Sequence, residues 1–525
     1  MMNKHFDINK LTIEEKIGQL FMFGIQGLEI TDETIELIRT YKVGNVILFS
    51  RNIESSKQLY QLNQSLQKLA YEHIGIPMFI SIDQEGGMVT RIKNDQLYFP
   101  GAMTLSAYDD VDATYQAGYD MGQLLHTLGM NMNLAPVLDV NHNPNNPVIG
   151  IRSYGDDPKQ VSKHGLAFMK GLEKHLLATG KHFPGHGNTH VDSHLGLPTV
   201  DATLEELNQL DLIPFKKAID ENISALMTAH IHFPKIEEHG LPATLSKRIL
   251  TDLLRNEMGF KGLIVTDGMQ MDAISKIYGT VKGCELSILA GADMSLICHS
   301  NQLQIETINH FKKLYQQGIL TDEILNERVT RILDYKAKRI SQVDLEKSFE
   351  SAYQSINIER IKKHNYSIVE KAATLVKGKP FKPYGPTLFI GVIPTMTSIA
   401  DDEQEALDIS QLIDKHTTNI DTILVPVKPK YQDFKSVLAK AKKYEQIVIT
   451  TYNGNVYHEQ IDLIDQLAAY NKDLYVVAMR NPYDLHFTSH INNYVCLYEY
   501  TPFSMQVLIK YLQGKLTLEG KVPIK

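Results

Sequence analysis

Up to residue 298 the apolar positions fall into short runs bounded by Gly, Pro and Asn. They are LFMFGI (20–25), NVILF (45–49), MFISID (78–83), MNLAPVL (132–138), GKHF (180–183), ALMTAH (225–230), LIVTD (263–267) and MSLIC (294–298). Their length and their Val, Ile, Leu and Phe content suit strands buried on both faces. Amphipathic stretches of helical length separate most of them, at 56–73, 107–128, 159–175, 203–219, 246–257 and 280–290. Such alternation predicts an α/β fold with a parallel sheet and crossover helices, and eight repeats predict a (β/α)8, TIM-like barrel. A doubly wound sheet shares the pattern and stays open as the competing architecture.

Beyond a helical region from about 302 to 375, the segment KGKPFKPYGP (377–386) reads as a linker. After it, TLFIGVI (387–393), DTILVPV (421–427), QIVITTY (446–452), DLYVVAM (473–479) and YVCLY (494–498) alternate with helical stretches. They predict a smaller, open-sheet α/β sandwich domain. The expected division is a barrel over 1–340, a helical connection and linker over 341–385, and the C-terminal domain over 386–525. No repeat of 20–50 residues interrupts this order.

Composition narrows the function classes. The chain has 525 residues, 43% of them hydrophobic, and Lys+Arg 53 against Asp+Glu 61 gives a net charge of −8. That balance is ordinary for a globular protein and lacks the basic footprint of a nucleic-acid binder. No uninterrupted apolar stretch approaches the ~18 residues of a membrane span. Three widely spaced cysteines, Cys284, Cys298 and Cys496, imply neither a disulfide framework nor a zinc knuckle. With no secretory pattern at the start, the expected compartment is the cytoplasm.

In a barrel, chemistry sits at the C-terminal strand ends and in the loops that follow. Polar residues crowd those positions. The third run ends in Asp83-Gln84-Glu85-Gly86-Gly87, followed by Arg91; the fourth leads to Asp139 and Arg152. The fifth runs into Lys181 and His182, then His186, His190, Asp192 and His194. The sixth ends at His230 and His232, and the seventh at Asp267. Any one of these could be a helix cap or a loop hydrogen bond, and Asp267 could cap the next helix. Five strand ends carrying ionisable groups favour a site.

The four histidines 182, 186, 190 and 194 recur every four residues, which on a helix would align metal ligands. Pro184, Gly185 and Gly187 oppose a helix there, so no metal site is expected. In a loop, Asp192 and His194 can pair instead, with the carboxylate fixing one imidazole nitrogen and freeing the other for proton transfer. An Asx-turn with an exposed His is the structural alternative. Asp83, Arg91, Arg152, Lys181 and His182 offer donors and acceptors for sugar hydroxyls, and Asp267 is a candidate nucleophile. Trp is absent, so a pocket for one terminal sugar is favoured over an open polysaccharide cleft. Neither phosphate-binding glycine motif is present, which disfavours nucleotide enzymes.

These segments resemble glycoside hydrolase family 3, and within it the bacterial β-N-acetylglucosaminidase branch. The matches are IDQEGGMVTRI (82–92), FPGAMTL (99–105), LAPVLDVNHNPNNPVIGIRSYGDDP (134–158), GKHFPGHGNTHVDSHLGLP (180–198), MTAHI (227–231), PATLSKRIL (242–250) and GFKGLIVTDGMQM (259–271). The KHFPGHG…DSH segment separates this branch from the family's β-glucosidases. RNPYDL (480–485) is the best local match to the second domain of two-domain members. The resemblance implies a retaining exo-β-N-acetylglucosaminidase acting on muropeptide-type saccharides in cell-wall recycling, without cofactor or metal. It implies Asp267 as nucleophile, His194 as acid/base with Asp192 as dyad partner, and Asp83, Arg91, Arg152, Lys181 and His182 as N-acetylglucosamine ligands. Met88 and Gly268 depart from the family pattern. A phosphorylase of the same branch, a non-catalytic sugar-binding protein on this fold and a metal-dependent hydrolase are the alternatives.

Overall fold

A computed structural model of the chain describes residues 6–93, 97–189, 196–340, 345, 347–394, 409–470 and 473–525. The eight runs form strands β1 (Phe21–Gly24), β2 (Asn45–Leu48), β3 (Phe79–Ile82), β4 (Met132–Asn133), β5 (Leu177–Phe183), β6 (Ala225–Thr228), β7 (Leu263–Gly268) and β8 (Met294–Ile297). All pair in parallel in chain order, and β8 returns to β1, closing a barrel. The doubly wound alternative is thereby excluded. β4 is shorter than its apolar run because Pro136 has no N–H for the ladder. The chain there still follows β5, with Leu138 N–H donating to Lys181 O.

Most helices follow the expected periodicity, and two stretches are each broken into two helices. The 107–128 stretch divides into Ala102–Tyr108 and Val111–Thr127 at Asp109, which is left-handed, and Asp110, whose carboxylate accepts the Ala113 N–H. The 203–219 stretch divides into Leu204–Gln209 and Leu212–Asp220. Arg248–Glu257 is a π-helix. A helix over Asp32–Arg39, between β1 and β2, was not expected; it buries Thr34, Leu37 and Ile38.

Met22, Ile47, Phe79, Met132, Leu177, Ala225, Leu263 and Met294 fill the barrel interior. The helix Asp322–Arg339 crosses beneath them. Its Lys336 is fully buried, with Nζ on Gln19 Oε1 (2.6 Å) and Gly44 O (2.9 Å). Lys336 therefore occupies the lower end of the barrel interior.

The second domain is a six-stranded sheet in the order β11-β10-β12-β13-β14-β9. Its strands are β9 (Thr374–Lys377), β10 (Thr387–Ile393), β11 (Ile420–Pro426), β12 (Gln446–Thr451), β13 (Asp473–Ala478) and β14 (Asn493–Cys496). Five were expected. The sixth, β9, lies in the segment read as helical connection and linker, and it is the one antiparallel member.

The two domains share a continuous apolar contact. Met88, Met103, Ala107 and Ile151 of the barrel are buried in the core of the second domain. Buried polar links accompany them. Glu499 accepts from Gly101 N–H (3.0 Å) and Thr104 Oγ1 (2.8 Å), and Tyr500 N–H lies 3.2 Å from Met88 Sδ. The Met88 departure from the family pattern thus sits in the interdomain contact rather than at a sugar.

Candidate active site

At the C-terminal ends of the strands lies a cavity of about 230 Å³. Every barrel strand except β1 sends residues to it, directly or through the loop that follows. Asp83, Glu85 and Arg91 come from β3 and its loop, and Arg152 from the loop after β4. Lys181, His182 and His186 come from β5 and its turn, and Asp267 from the end of β7. Phe49, Met227, Met271, Leu296 and Cys298 supply apolar wall.

One polar feature of the wall is a charge ladder. Arg152 Nε and one Nη donate to the two oxygens of Glu85, at 2.9 and 2.7 Å. Lys181 Nζ bridges Glu85 Oε1 (2.7 Å) and Asp83 Oδ1 (2.6 Å). Burial alone would raise the carboxyl pKa of Glu85, but the Arg152 and Lys181 charges outweigh it and hold the group well below the usual range. Burial likewise opposes the charge on Lys181, and Asp83 and Glu85 reverse that, raising its pKa. Two anions and two cations alternate, so the cavity wall offers charged donors and acceptors without a large net charge.

A second unit is built on Asp139, which has no exposed surface. Its carboxylate accepts the backbone N–H of His182 (3.1 Å) and of His186 (2.7 Å), and it pairs with His182 Nδ1 at 2.7 Å. Burial pushes Asp139 up, but the His182 contact and the His186 N–H leave its pKa lowered. Nδ1–H of His182 donates to this carboxylate, leaving Nε2 as the nitrogen open to a ligand. His186 packs edge-on against His182, ring centroids 5.7 Å apart, and bonds Thr189 Oγ1 through Nδ1 (2.9 Å). Burial and the neighbouring His182 push its pKa down to about 4.

Asp267 is the penultimate residue of β7, and one of its oxygens accepts the Gly268 N–H at 2.7 Å. The next two helices, Asp272–Ser275 and Thr280–Ala290, have Met271 and Gly279 at their N-caps, so Asp267 is not the N-cap of either. His230 lies beneath, its Nε2 3.0 Å from Gly268 O and its Nδ1 2.8 Å from Thr244 Oγ1. It braces the β7 turn from below. Gly268 leaves room: a Cβ there would meet Cys298 and Met271 only at ordinary van der Waals distance, 3.8 Å. Burial, with Asp267 and Asp83 nearby, pushes the Cys298 thiol well up, so it remains a neutral floor residue.

Of the residues singled out from sequence, Asp83, Arg91, Arg152, Lys181, His182 and Asp267 all line the cavity. Asp192 and His194 lie outside the described residues. Glu85, Asp139 and His186 were visible only as polar residues near strand ends, with no role assigned. Glu85 shares the DQEGG turn with Asp83, and two cations close to one another in space require two anions; that charge balance was the available signal. The described part of the 181–189 segment leaves β5 through a turn rather than a helix. Among the described residues, no group of three or more His, Cys, Asp or Glu has a metal-binding arrangement.

Residues 12–335 match the family model of the glycosyl hydrolase family 3 N-terminal domain. The chain is 39% identical over 326 residues to β-hexosaminidase A of Pseudoalteromonas piscicida, a match covering 58% of this chain and 54% of that relative. It is 33% identical over 297 residues to a Haemophilus influenzae β-hexosaminidase, covering 55% of this chain and 82% of the other. Among solved structures, a glycoside hydrolase family 3 β-N-acetylglucosaminidase from Paenibacillus sp. str. FPU-7 superposes with a TM-score of 0.91 at 34% identity. That superposition takes in 98% of this chain and 99% of the other, both domains included. The chain belongs to glycoside hydrolase family 3, in the two-domain form of its bacterial β-N-acetylglucosaminidase branch.

Proposed function

We propose that the protein is a retaining exo-β-N-acetylglucosaminidase that removes terminal N-acetylglucosamine from muropeptide-type GlcNAc-β-1,4-MurNAc substrates in cell-wall turnover and recycling. The observation that carries the reading is the single cavity shared by Asp267, the Asp83–Lys181–Glu85–Arg152 ladder and the Asp139-anchored His182. Its volume, about 230 Å³, falls below the ~300–1,000 Å³ of sites for drug-sized ligands, which favours one sugar ring.

In this mechanism Asp267 attacks the anomeric carbon while His194, paired with Asp192, protonates the departing glycosidic oxygen. The C–O bond to the leaving sugar breaks, and a covalent glycosyl-Asp forms. His194, now neutral, takes a proton from water, whose oxygen displaces the Asp267 carboxylate. Two inversions at one carbon give net retention. An imidazole in the acid/base role keeps a second anion away from Asp267 and from an anionic aglycone. The ladder and His182 hold the sugar hydroxyls, and no step needs a metal or cofactor.

The proposed setting is the cytoplasm, acting on imported muropeptides. The three cysteines are free and buried, which suits a reducing compartment. Among the described residues no helix is long and apolar enough to cross a membrane.

The test is release of nitrophenol from its β-N-acetylglucosaminide and its β-glucoside, in EDTA, with and without phosphate. Turnover of the acetamido sugar alone, indifferent to phosphate, is expected. Acceleration by phosphate with a sugar 1-phosphate product would replace the hydrolase by a phosphorylase. Folded protein that binds N-acetylglucosamine without turning over disaccharide muropeptides would overturn the catalytic reading.

A further inference from the structure

Loop 141–156 serves two domains at once. Arg152 is turned to Glu85 in the cavity, while its neighbour Ile151 is buried in the core of the second domain. The Ile151 N–H donates to Asn481 Oδ1 at 3.1 Å. Gly150 approaches the same side chain so closely that a Cβ there would sit 2.2 Å from Asn481 Oδ1, at a φ of +46° that itself favours glycine.

Asn481 is fixed in turn. Its Nδ2 donates to Asn455 Oδ1 (3.2 Å), and Asn455 Nδ2 donates to Pro144 O (2.7 Å), on the other limb of the loop. Tyr483 OH accepts from Asn141 Nδ2 (2.6 Å), and Asn141 Oδ1 accepts from Gly150 N–H (3.3 Å). Asn455, Asn481 and Tyr483 are all buried. The remaining polar members of RNPYDL shape this turn from within: Arg480 bonds Tyr452 OH (2.8 Å), and Asp484 accepts from Thr451 and Tyr494 hydroxyls.

We propose that Asn481 is a positioning residue for Arg152. The second domain, through this amide, sets where the backbone at Ile151 lies, and so where the Arg152 fork meets Glu85 and the sugar. A binding group misplaced by even about 1 Å loses much of its effect. The proposal rests on the reading of Arg152 as a sugar ligand.

The experiment is a double-mutant cycle in the full chain, Asn481→Leu against Arg152→Lys, read as KM and kcat for the aryl β-N-acetylglucosaminide. Lys cannot reproduce the two-pronged contact, so the orientation that Asn481 controls is gone in that background. Asn481→Leu alone is expected to raise KM about tenfold with kcat nearly unchanged, the pattern of lost substrate binding. In the Arg152→Lys background the same substitution should have almost no further effect. A folded Asn481→Leu variant with unchanged KM, or an equal effect in both backgrounds, overturns the proposal. Should Arg152→Lys alone leave KM unchanged, the sugar-ligand reading fails, and the proposal falls with it. Where Asn481→Leu does not fold, Asn455→Ala takes its place in the same cycle, with the same outcomes deciding.

Discussion

Glu85 neutralises two cations with one carboxylate: both its oxygens receive the Arg152 fork, and Lys181 Nζ lies 2.7 Å from one of them. An amide in its place would offer one acceptor and turn an NH2 toward a cation. Glu85→Gln is therefore expected to lower unfolding stability by about 3–5 kcal/mol, the cost of stranding a buried charge. It should also raise KM for the aryl N-acetylglucosaminide at least about tenfold through the misplaced ladder. Urea unfolding and steady-state kinetics read the two effects. Wild-type values in both would show that the ladder neither holds the wall nor binds substrate.

Asp267 is half-buried at the end of β7, with the Gly268 N–H on one oxygen. Asp267→Ala should cut kcat about 10⁴-fold or more, as removal of a nucleophile does. The Tm should shift by no more than about 2–4 °C. A variant that keeps turnover would end the nucleophile assignment.

Acid catalysis matters in proportion to how poor the leaving group is. His194→Ala should slow hydrolysis of a disaccharide muropeptide about 10²–10⁴-fold. The loss on nitrophenyl glycosides, which depart without a proton, should be much smaller. Equal losses on the two substrates would contradict an acid role for His194.

Two buried imidazoles set an acid limit on stability. Burial pushes His164 down to about 4, against the opposing pull of Asp109, and His186 falls to about 4 as well. In the unfolded chain each takes a proton near pH 6.5, while the folded protein refuses it until about pH 4. The unfolded state binds more protons in that window, so stability is full above pH 6.5 and declines as the pH falls toward 4. At pH 5 the expected loss is about 2 kcal/mol per imidazole. Urea midpoints at pH 7 and pH 5 measure it, and His164→Gln should remove about half of the difference. Identical midpoints for the wild type would refute it.

The barrel was legible because both its periods are local. Short runs such as NVILF and LIVTD need no partner to declare a strand buried on both faces, and these two coincide with β2 and β7 to within a residue. β9 was not legible: TLVK is four residues long, only partly buried, and directly follows a long helix. Its identity comes from β14, more than a hundred residues on, which no local pattern encodes. The same division runs through the candidate site. Asp83, Lys181 and Asp267 stand at strand ends, where the barrel itself assigns them to the cavity. Glu85 and Asp139 act on other side chains, Arg152 and His182, so their place becomes visible only when separate loops are brought together.

The bond between Ile151 and Asn481 joins positions 330 residues apart in the chain. On a ribosome adding about 5–20 residues each second, that interval is roughly 15–70 s. For that time a nascent barrel carries Ile151 without the side chain that receives its N–H. The barrel strands are all synthesised before Asn481, so the loop that carries Ile151 and Arg152 gains its second-domain contacts only after the residues of the barrel are complete.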